Sequence, residues 1–227
     1  NRRTINRRTI HRRTVNRRTI NRRTINRRHH RLAWHRLACV SDARRCRAAL
    51  DEMAKAYKRA KVDVAIVLGK DQKEIWPGQS PSITIYTGEE VHNGPPQRPV
   101  YAPDHHVVHQ AYPELATYLI RTFQEQNFDL NDLQQWPQNI WMESRQGYAP
   151  DYPVVPHAYS FVYHQIMGDD VPRHVPVLFN LFYPPTQPSM ARCIEFGRVL
   201  REAIAAWPED VRVAVIASGA LVVEFAS

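Results

Sequence analysis

Four groups stand at the ends of two apolar runs, Val175–Phe182 and Val211–Ala217. They are the amide of Asn180, the phenol of Tyr183, and the pair Ser218-Gly219. An amide and free backbone N–H groups can hold a carboxylate or hydroxyl, and a phenol ring can wall a second ring. A separate candidate is His105-His106-Val107-Val108-His109. Its i, i+3, i+4 spacing would present three imidazoles to a metal if it were helical. Pro113 follows, and proline favours the first turn of a helix, so the regular helix is expected to start there. The three histidines then read as a solvated loop before it.

The first four groups need elements that bring them to one place. The run from Val175 ends in a turn marked by Pro184, Pro185 and Pro188, which a central strand excludes. Phe196, Leu200, Ala203 and Trp207 then recur at steps of four, three and four, one face of a helix that Pro208 stops. Val211–Ala217 follows as a second strand. Strand, helix and strand form the right-handed unit of a parallel sheet, whose ligands sit beyond the carboxyl ends. Val62–Leu68, apolar but for Asp63, reads as a strand buried on both faces, and Gly69–Glu74 follows its end. Ile83–Tyr86 is another short strand. Helices are expected from about Asp42, with Cys46, Leu50, Met53 and Tyr57 on one face, and from Pro113, with Ala116, Leu119, Ile120 and Phe123 inward. Polar residues between Phe128 and Pro153 read as a long excursion over one sheet edge, either a lid or a structural wrap. The whole predicts a single α/β domain with a central, mainly parallel or mixed sheet and helices on both faces.

Residues 1–30 are six pentapeptides of the type Asn-Arg-Arg-Thr-Ile, with twelve arginines and no acid. A five-residue step turns about 140° on a helix and alternates faces on a strand, so no apolar face forms. Disorder is the expected state. The tail reads as a translated nucleotide repeat, with a polyanion-binding arm and an organelle-targeting segment as alternatives. A first residue of Asn1 rather than Met reads as a fragment. The chain carries 31 basic and 22 acidic residues, so its +9 charge resides in the tail and the remainder is near −3. Nucleic acid is therefore expected to bind only non-specifically and only through the tail. Residues 1–36 are assigned to the tail and 37–227 to the domain. No run reaches the roughly 18 apolar residues of a membrane span. Cys39, Cys46 and Cys193 lack both disulfide and zinc spacing, which fits a reducing, cytoplasmic compartment.

The ordered segments VPVLFNLFYPPTQP, ARCIEFGRVLREAIAAW and RVAVIASG resemble the class III extradiol ring-cleavage dioxygenases. The likeness is to their catalytic chain, of the protocatechuate 4,5-dioxygenase beta-subunit type, and covers roughly Ala43 to Phe225. It implies Fe(II) on a two-His, one-carboxylate face, O2, and a catechol-type aromatic acid as substrate. It also implies a homo-oligomer or a small partner subunit. His157 matches an active-site histidine of the family, one that follows the long loop and contacts substrate or oxygen. The strand after Val62 carries an iron-binding Asn-Asp-His in the best-known members, and Lys70, Asp71 and Gln72 align there. A branch reading Gly-Asp-Asp-Gln-x-Glu matches Gly69, Asp71, Gln72 and Glu74 better, which leaves Gln72 and Glu74 as the metal candidates.

Three positions depart from the family pattern. The Ser-His-x-Pro segment of the first ligand is replaced by the repeat tail. The proton-transferring histidine of Ser-Gly-Gly-Leu-Ser-His is Val223. The family's carboxylate ligand lies beyond Ser227. The expectation is a dioxygenase-type domain, incomplete at both ends, that does not cleave rings as it stands. The alternatives are a non-catalytic paralogue that binds an aromatic ligand or a partner subunit, and polyanion binding through the tail. If the strand ends converge, Gly69–Glu74, Asn180–Pro185 and Ser218–Ala220 share one cleft that His157 enters.

Overall fold

A computed structural model describes residues 42–70, 80–94, 103–137, 153–168 and 170–219. The contacts divide the chain into two units, Asn1–Arg47 and Ala48–Ser227. The first is described only from residue 42, as the opening turns of a helix. The repeat tail, Gln72, Glu74, most of the 128–153 excursion and the residues after Gly219 lie outside the described residues.

The second unit is built on a five-stranded sheet. Its strands are β1 (Val64–Lys70), β2 (Ile83–Tyr86), β5 (Asn131–Leu133), β6 (Arg173–Phe179) and β7 (Val213–Ala217), in the order β5-β2-β6-β1-β7. β6, β1 and β7 are parallel, while β2 runs antiparallel to β6 and parallel to β5. The sheet is thus mixed but mostly parallel, with helices on both faces, as the sequence predicts. β1 lies between β6 and β7, so the expected strand–helix–strand unit crosses over one strand. The central position of β1 explains its composition, because both of its faces are covered and alternate residues must all be apolar. β6 begins ahead of the predicted run, at Arg173, and stops short of its end, at Phe179. Pro176 sits inside this central strand, opposite Val67, where the ladder to β2, which covers Val177–Phe179, has already ended.

One face of the sheet carries α2 (Pro113–Glu125) and α4 (Met190–Ala206). Leu115, Ala116, Leu119 and Phe123 of α2 pack on Phe196, Val199, Leu200 and Ala203 of α4 and on Ile66, Ile85 and Val177 of the strands. Ser189 caps α4 by accepting a hydrogen bond from the Arg192 N–H. The other face carries α3 (His157–Val162), which continues as a π-helical turn, Tyr163–Met167. Leu50 and Tyr57 of α1 (residues 42–60) pack on the same side. The half-buried stripe of α1 is Leu50, Ala54 and Tyr57, whereas Cys46 and Met53, expected on it, are exposed.

A two-stranded antiparallel ribbon, β3 (Glu90–Asn93) and β4 (Val107–Gln110), completes this side. Here the sequence reading is corrected. His109 lies in a strand, not in a solvated loop or a helix, while His105 and His106 stand in exposed loop before it, as expected; alternation sends His106 and His109 to opposite faces. His109 is buried and His106 is exposed.

Candidate functional site

The carboxyl ends of β1, β6 and β7 lie together. Lys70 is in register with Phe179, and Leu68 with Ala217. Beyond β7, the Ser218 N–H donates to the Leu68 carbonyl at 2.8 Å, and its hydroxyl donates to the Ala158 carbonyl at 2.5 Å. Ser218 therefore ties the start of α3 to the end of β7. His157, the first residue of α3, stands beside that tie and is half-buried. Glycine is required on both strands. A Cβ on Gly69 would come within 2.6 Å of the Tyr159 ring, so α3 can approach β1 only because Gly69 has none. Gly219 has φ +127°, and a Cβ there would meet Lys70 Cγ at 3.1 Å. The Lys70 methylenes thus run across Gly219 in the crevice between β1 and β7.

Asn180 has a different task. Its Nδ2 donates to the Tyr183 carbonyl and the Thr186 hydroxyl, both at 2.8 Å. Its Oδ1 accepts from the backbone N–H of Phe182 and of Tyr183. The residue is 2% exposed. These bonds replace the β ladder, which is why β6 stops at Phe179, and they fold the loop that holds the cis Pro184–Pro185 bond. The amide is spent on the loop, so the group it offers outward is the neighbouring Tyr183. Tyr183, Pro184, Pro185 and Thr186 wall a cleft of about 680 Å³ against Thr84, Asp132 and Leu178. A second cleft of about 620 Å³, lined by Tyr86, Glu89, Glu90, His92 and Trp136, lies further along β2. Gln135 lines both. The structure therefore brings Lys70 against Gly219 beside Ser218, ties Ser218 to Ala158, the chain neighbour of His157, and sets Tyr183 in a cleft walled by other residues. The expected shared cleft includes Glu74 and Ala220, which lie outside the described residues.

Fe(II) is a poor match for the described residues at the strand ends. They offer one imidazole, His157, one amine, Lys70, and no carboxylate. Among the described residues, no three His, Cys, Asp or Glu side chains gather so as to hold a metal. A two-His, one-carboxylate face is therefore not built from them.

Sequence reasoning missed a buried polar group between the ribbon and β6. Ser160 donates to the Asn93 side-chain oxygen at 2.5 Å, and Asn93 Nδ2 lies 3.4 Å from His109 Nε2. The rings of His109 and His174 both stand edge-on to Tyr163, with centroids 5.2 and 4.9 Å from it. His174 Nδ1 lies 3.1 Å from the Pro172 carbonyl, to which it donates, so Nε2 is the bare nitrogen of the neutral ring. His174 Nε2 and the Tyr163 hydroxyl are buried without a hydrogen-bond partner. Burial pushes His174 down to about 4 and Tyr163 well above the phenol range. The available signal was the alternation of His109 with Val108 and Gln110, a strand pattern with its polar residue inward.

Among the described residues no helix is long and apolar enough to cross a membrane. No individually curated protein matches the sequence. A family model does, over residues 41–226, and it describes the catalytic LigB subunit of aromatic ring-opening dioxygenase. The match spans the sheet, both helical layers and the two clefts, and on that ground the chain belongs to the family of catalytic LigB subunits of aromatic ring-opening dioxygenases.

Proposed function

We propose that this chain binds a catechol-type aromatic acid at the carboxyl edge of β1 and β7, and that the polypeptide by itself does not open the ring. The carrying observation is Lys70. Its side chain lies over Gly219, beside Ser218 and the start of α3. The resemblance places an iron-binding segment at that strand end. A lysine there favours a carboxylate and opposes a divalent cation, since like charges a few ångströms apart repel even at moderate dielectric. His157 would hydrogen-bond a ring hydroxyl. Gly219 leaves room for the Lys70 methylenes to lie against the backbone, which aims the ammonium along the strand ends. Val223, where the family has its proton-transferring histidine, removes acid–base help worth roughly 10²–10⁴ in rate. The family reading implies Fe(II), which Gln72 and Glu74 would have to hold against the Lys70 charge and which would supply the redox chemistry towards O2.

The test is anaerobic loading with Fe(II), then protocatechuate, then air. The expected outcome is no yellow ring-opened product at an enzymic rate, with protocatechuate binding retained in a titration. Lys70→Ala should weaken that binding by about tenfold or more, the range for a hydrogen bond to a charged group. His157→Ala should weaken it less. Ring opening at enzymic rates sinks the inactive reading, and unchanged binding in Lys70→Ala sinks the site.

A second reading, a chain that works against a partner subunit, has its own observation. Leu181, Phe182, Met190 and Ile194, around the β6–α4 connection, are all exposed by 41% or more. Large apolar groups concentrated on one connection are more often covered than scattered single ones. Polyanion binding through the tail is separable, because it should vanish on deleting residues 1–30.

A further inference from the structure

The outer face of the β3–β4 ribbon holds a feature that ring-opening chemistry does not use. His92 is opposite Val108, which makes His106 its diagonal neighbour on the same face. His92 Nδ1 and His106 Nε2 lie 3.0 Å apart. The ring centroids are 5.2 Å apart and the planes differ by 12°. That centroid distance is close to the N···N gap plus the two ring radii, so the nitrogens meet end to end rather than face to face. Backbone bonds hold the pair in place. The His92 carbonyl accepts from the Val155 N–H at 2.9 Å, and His92 bridges to Val154. Asp104 and His105 are bonded to each other at 2.9 Å beside His106. The charge of His164, on the π-helical turn, also acts on Asp104. Burial, and then the adjacent His92, hold His106 below the ordinary imidazole range, which favours the uncharged ring that a metal ion requires.

We propose that His92 and His106 form a two-imidazole site for a divalent transition ion of the zinc, nickel or copper type, on the ribbon face and apart from the strand-end site. Imidazole suits these ions, and water completes the coordination. Tetrahedral zinc with bonds of about 2.0–2.1 Å places two ligand nitrogens about 3.4 Å apart on rings that converge on the ion, so the pair must open by a few tenths of an ångström and the two rings must turn from end to end towards one point. The hydrogen now between the two nitrogens moves to the far nitrogen of its own ring. This tautomer shift itself releases no proton. Asp104 stands close enough in sequence to approach the ion without being needed for it.

The experiment is calorimetric titration of Zn²⁺ into the full chain, alongside His92→Ala/His106→Ala and His106→Gln. The difference between chains is what is read, because the imidazoles of His11, His29, His30 and His35 compete for the same ion in any titration of the full chain. Both variants are expected to bind one equivalent fewer than the parent. Glutamine keeps a hydrogen bond to His92 but is a poor ligand, so His106→Gln should lose the equivalent while its melting curve stays in place. Asp104→Ala should weaken the site by less than about threefold. An unchanged zinc stoichiometry in His106→Gln and in the double variant overturns the proposal.

Discussion

The two faces of the sheet are packed by different chemistry. On the α2/α4 face the core is aliphatic and phenyl. Phe196 stacks on Phe123 at 4.3 Å and meets Phe128 and Phe179 edge-on. Polar tips on that face reach partners: the Tyr112 hydroxyl donates to Glu209, and that of Tyr118 to the Ala203 carbonyl. Among the described residues, Trp207 Nε1 is the polar atom there left without one. The α3/ribbon face buries Asn93, His109, Ser160 and His174 instead, and leaves Trp136 Nε1, the Tyr163 hydroxyl and His174 Nε2 unpartnered. Tyr86 and Trp136 stack on each other at 5.3 Å as the wall of a cleft. Each unmet buried polar atom costs about 1–3 kcal/mol. One face therefore supplies stability, and the other carries groups that cost stability, one of them, Trp136, in the wall of a cleft. The comparison predicts that substitutions on the first face change stability at every pH. Those on the second should change how stability depends on pH.

The largest expected effect is Phe196→Ala. The side chain is 1% exposed and touches three other phenyl rings. Its loss should cost about 3–5 kcal/mol, read from denaturant unfolding at pH 7. The slope of stability against pH should stay that of the parent. A cost below about 1 kcal/mol would mean that this face is loosely packed.

Next in size is His174→Phe on the opposite face. The folded-state value of His174 is about 4, below the ordinary 6.5, and burial is the first cause. Above pH 6.5 neither state binds the proton, and His174 adds no pH dependence. Between 6.5 and 4 the unfolded chain takes a proton that the folded chain refuses, so stability falls as pH falls. The full loss is on the order of 3 kcal/mol. The groups facing the ring are His109 from β4 and Tyr163 from the π-helical turn, with the Pro172 carbonyl and the Gln110 backbone. Phenylalanine keeps the volume and removes the titration. Unfolding at pH 7 and pH 4.5 should show a shallower drop in the variant than in the parent. An equal drop would place the acid sensitivity elsewhere.

These two faces were not equally legible. α2 and α4 were readable because their apolar residues repeat at helical steps and nothing polar competes. Ala116, Leu119 and Phe123 fall on the predicted stripe, and so do Phe196, Leu200 and Ala203. β1 was readable from its unbroken apolar run. The other face was misread where a polar residue is buried. His109 faces inward on a strand too short, at four residues, to declare its period. Asn180 looked like an end-of-strand ligand group because type and position were visible, whereas its partners, Ser80 and Thr186, are set by the fold. On α1 the apolar residues suggested a stripe through Cys46 and Met53, but the half-buried residues are Leu50, Ala54 and Tyr57. The strand-end cluster of Lys70, Ser218 and Gly219 was legible in part, since parallel topology alone brings those ends together. That Ser218 would be tied to α3 was not, because the bond to Ala158 joins segments 60 residues apart.

The smallest expected effect tests whether the division between faces is clean. Ser189 caps α4 with extended backbone, φ −68° and ψ 159°, and its hydroxyl accepts from the Arg192 N–H at 3.2 Å. The N–H groups of the first turn have no partner within the helix, and a side-chain oxygen at this position satisfies one of them. Ser189→Ala should therefore cost about 1 kcal/mol, and Ser189→Gly only a few tenths. Ser189→Asp should hold or slightly raise stability, since a carboxylate both accepts the bond and meets the positive end of the helix. All three act through α4, which packs only on the aliphatic face, and none touches a titrating group of the other. Their unfolding curves at pH 7 and pH 4.5 should consequently shift in parallel with the parent. If Ser189→Ala steepened the loss between those two pH values, the faces would be coupled through the sheet, and stability and acid response could no longer be assigned to separate sides of it.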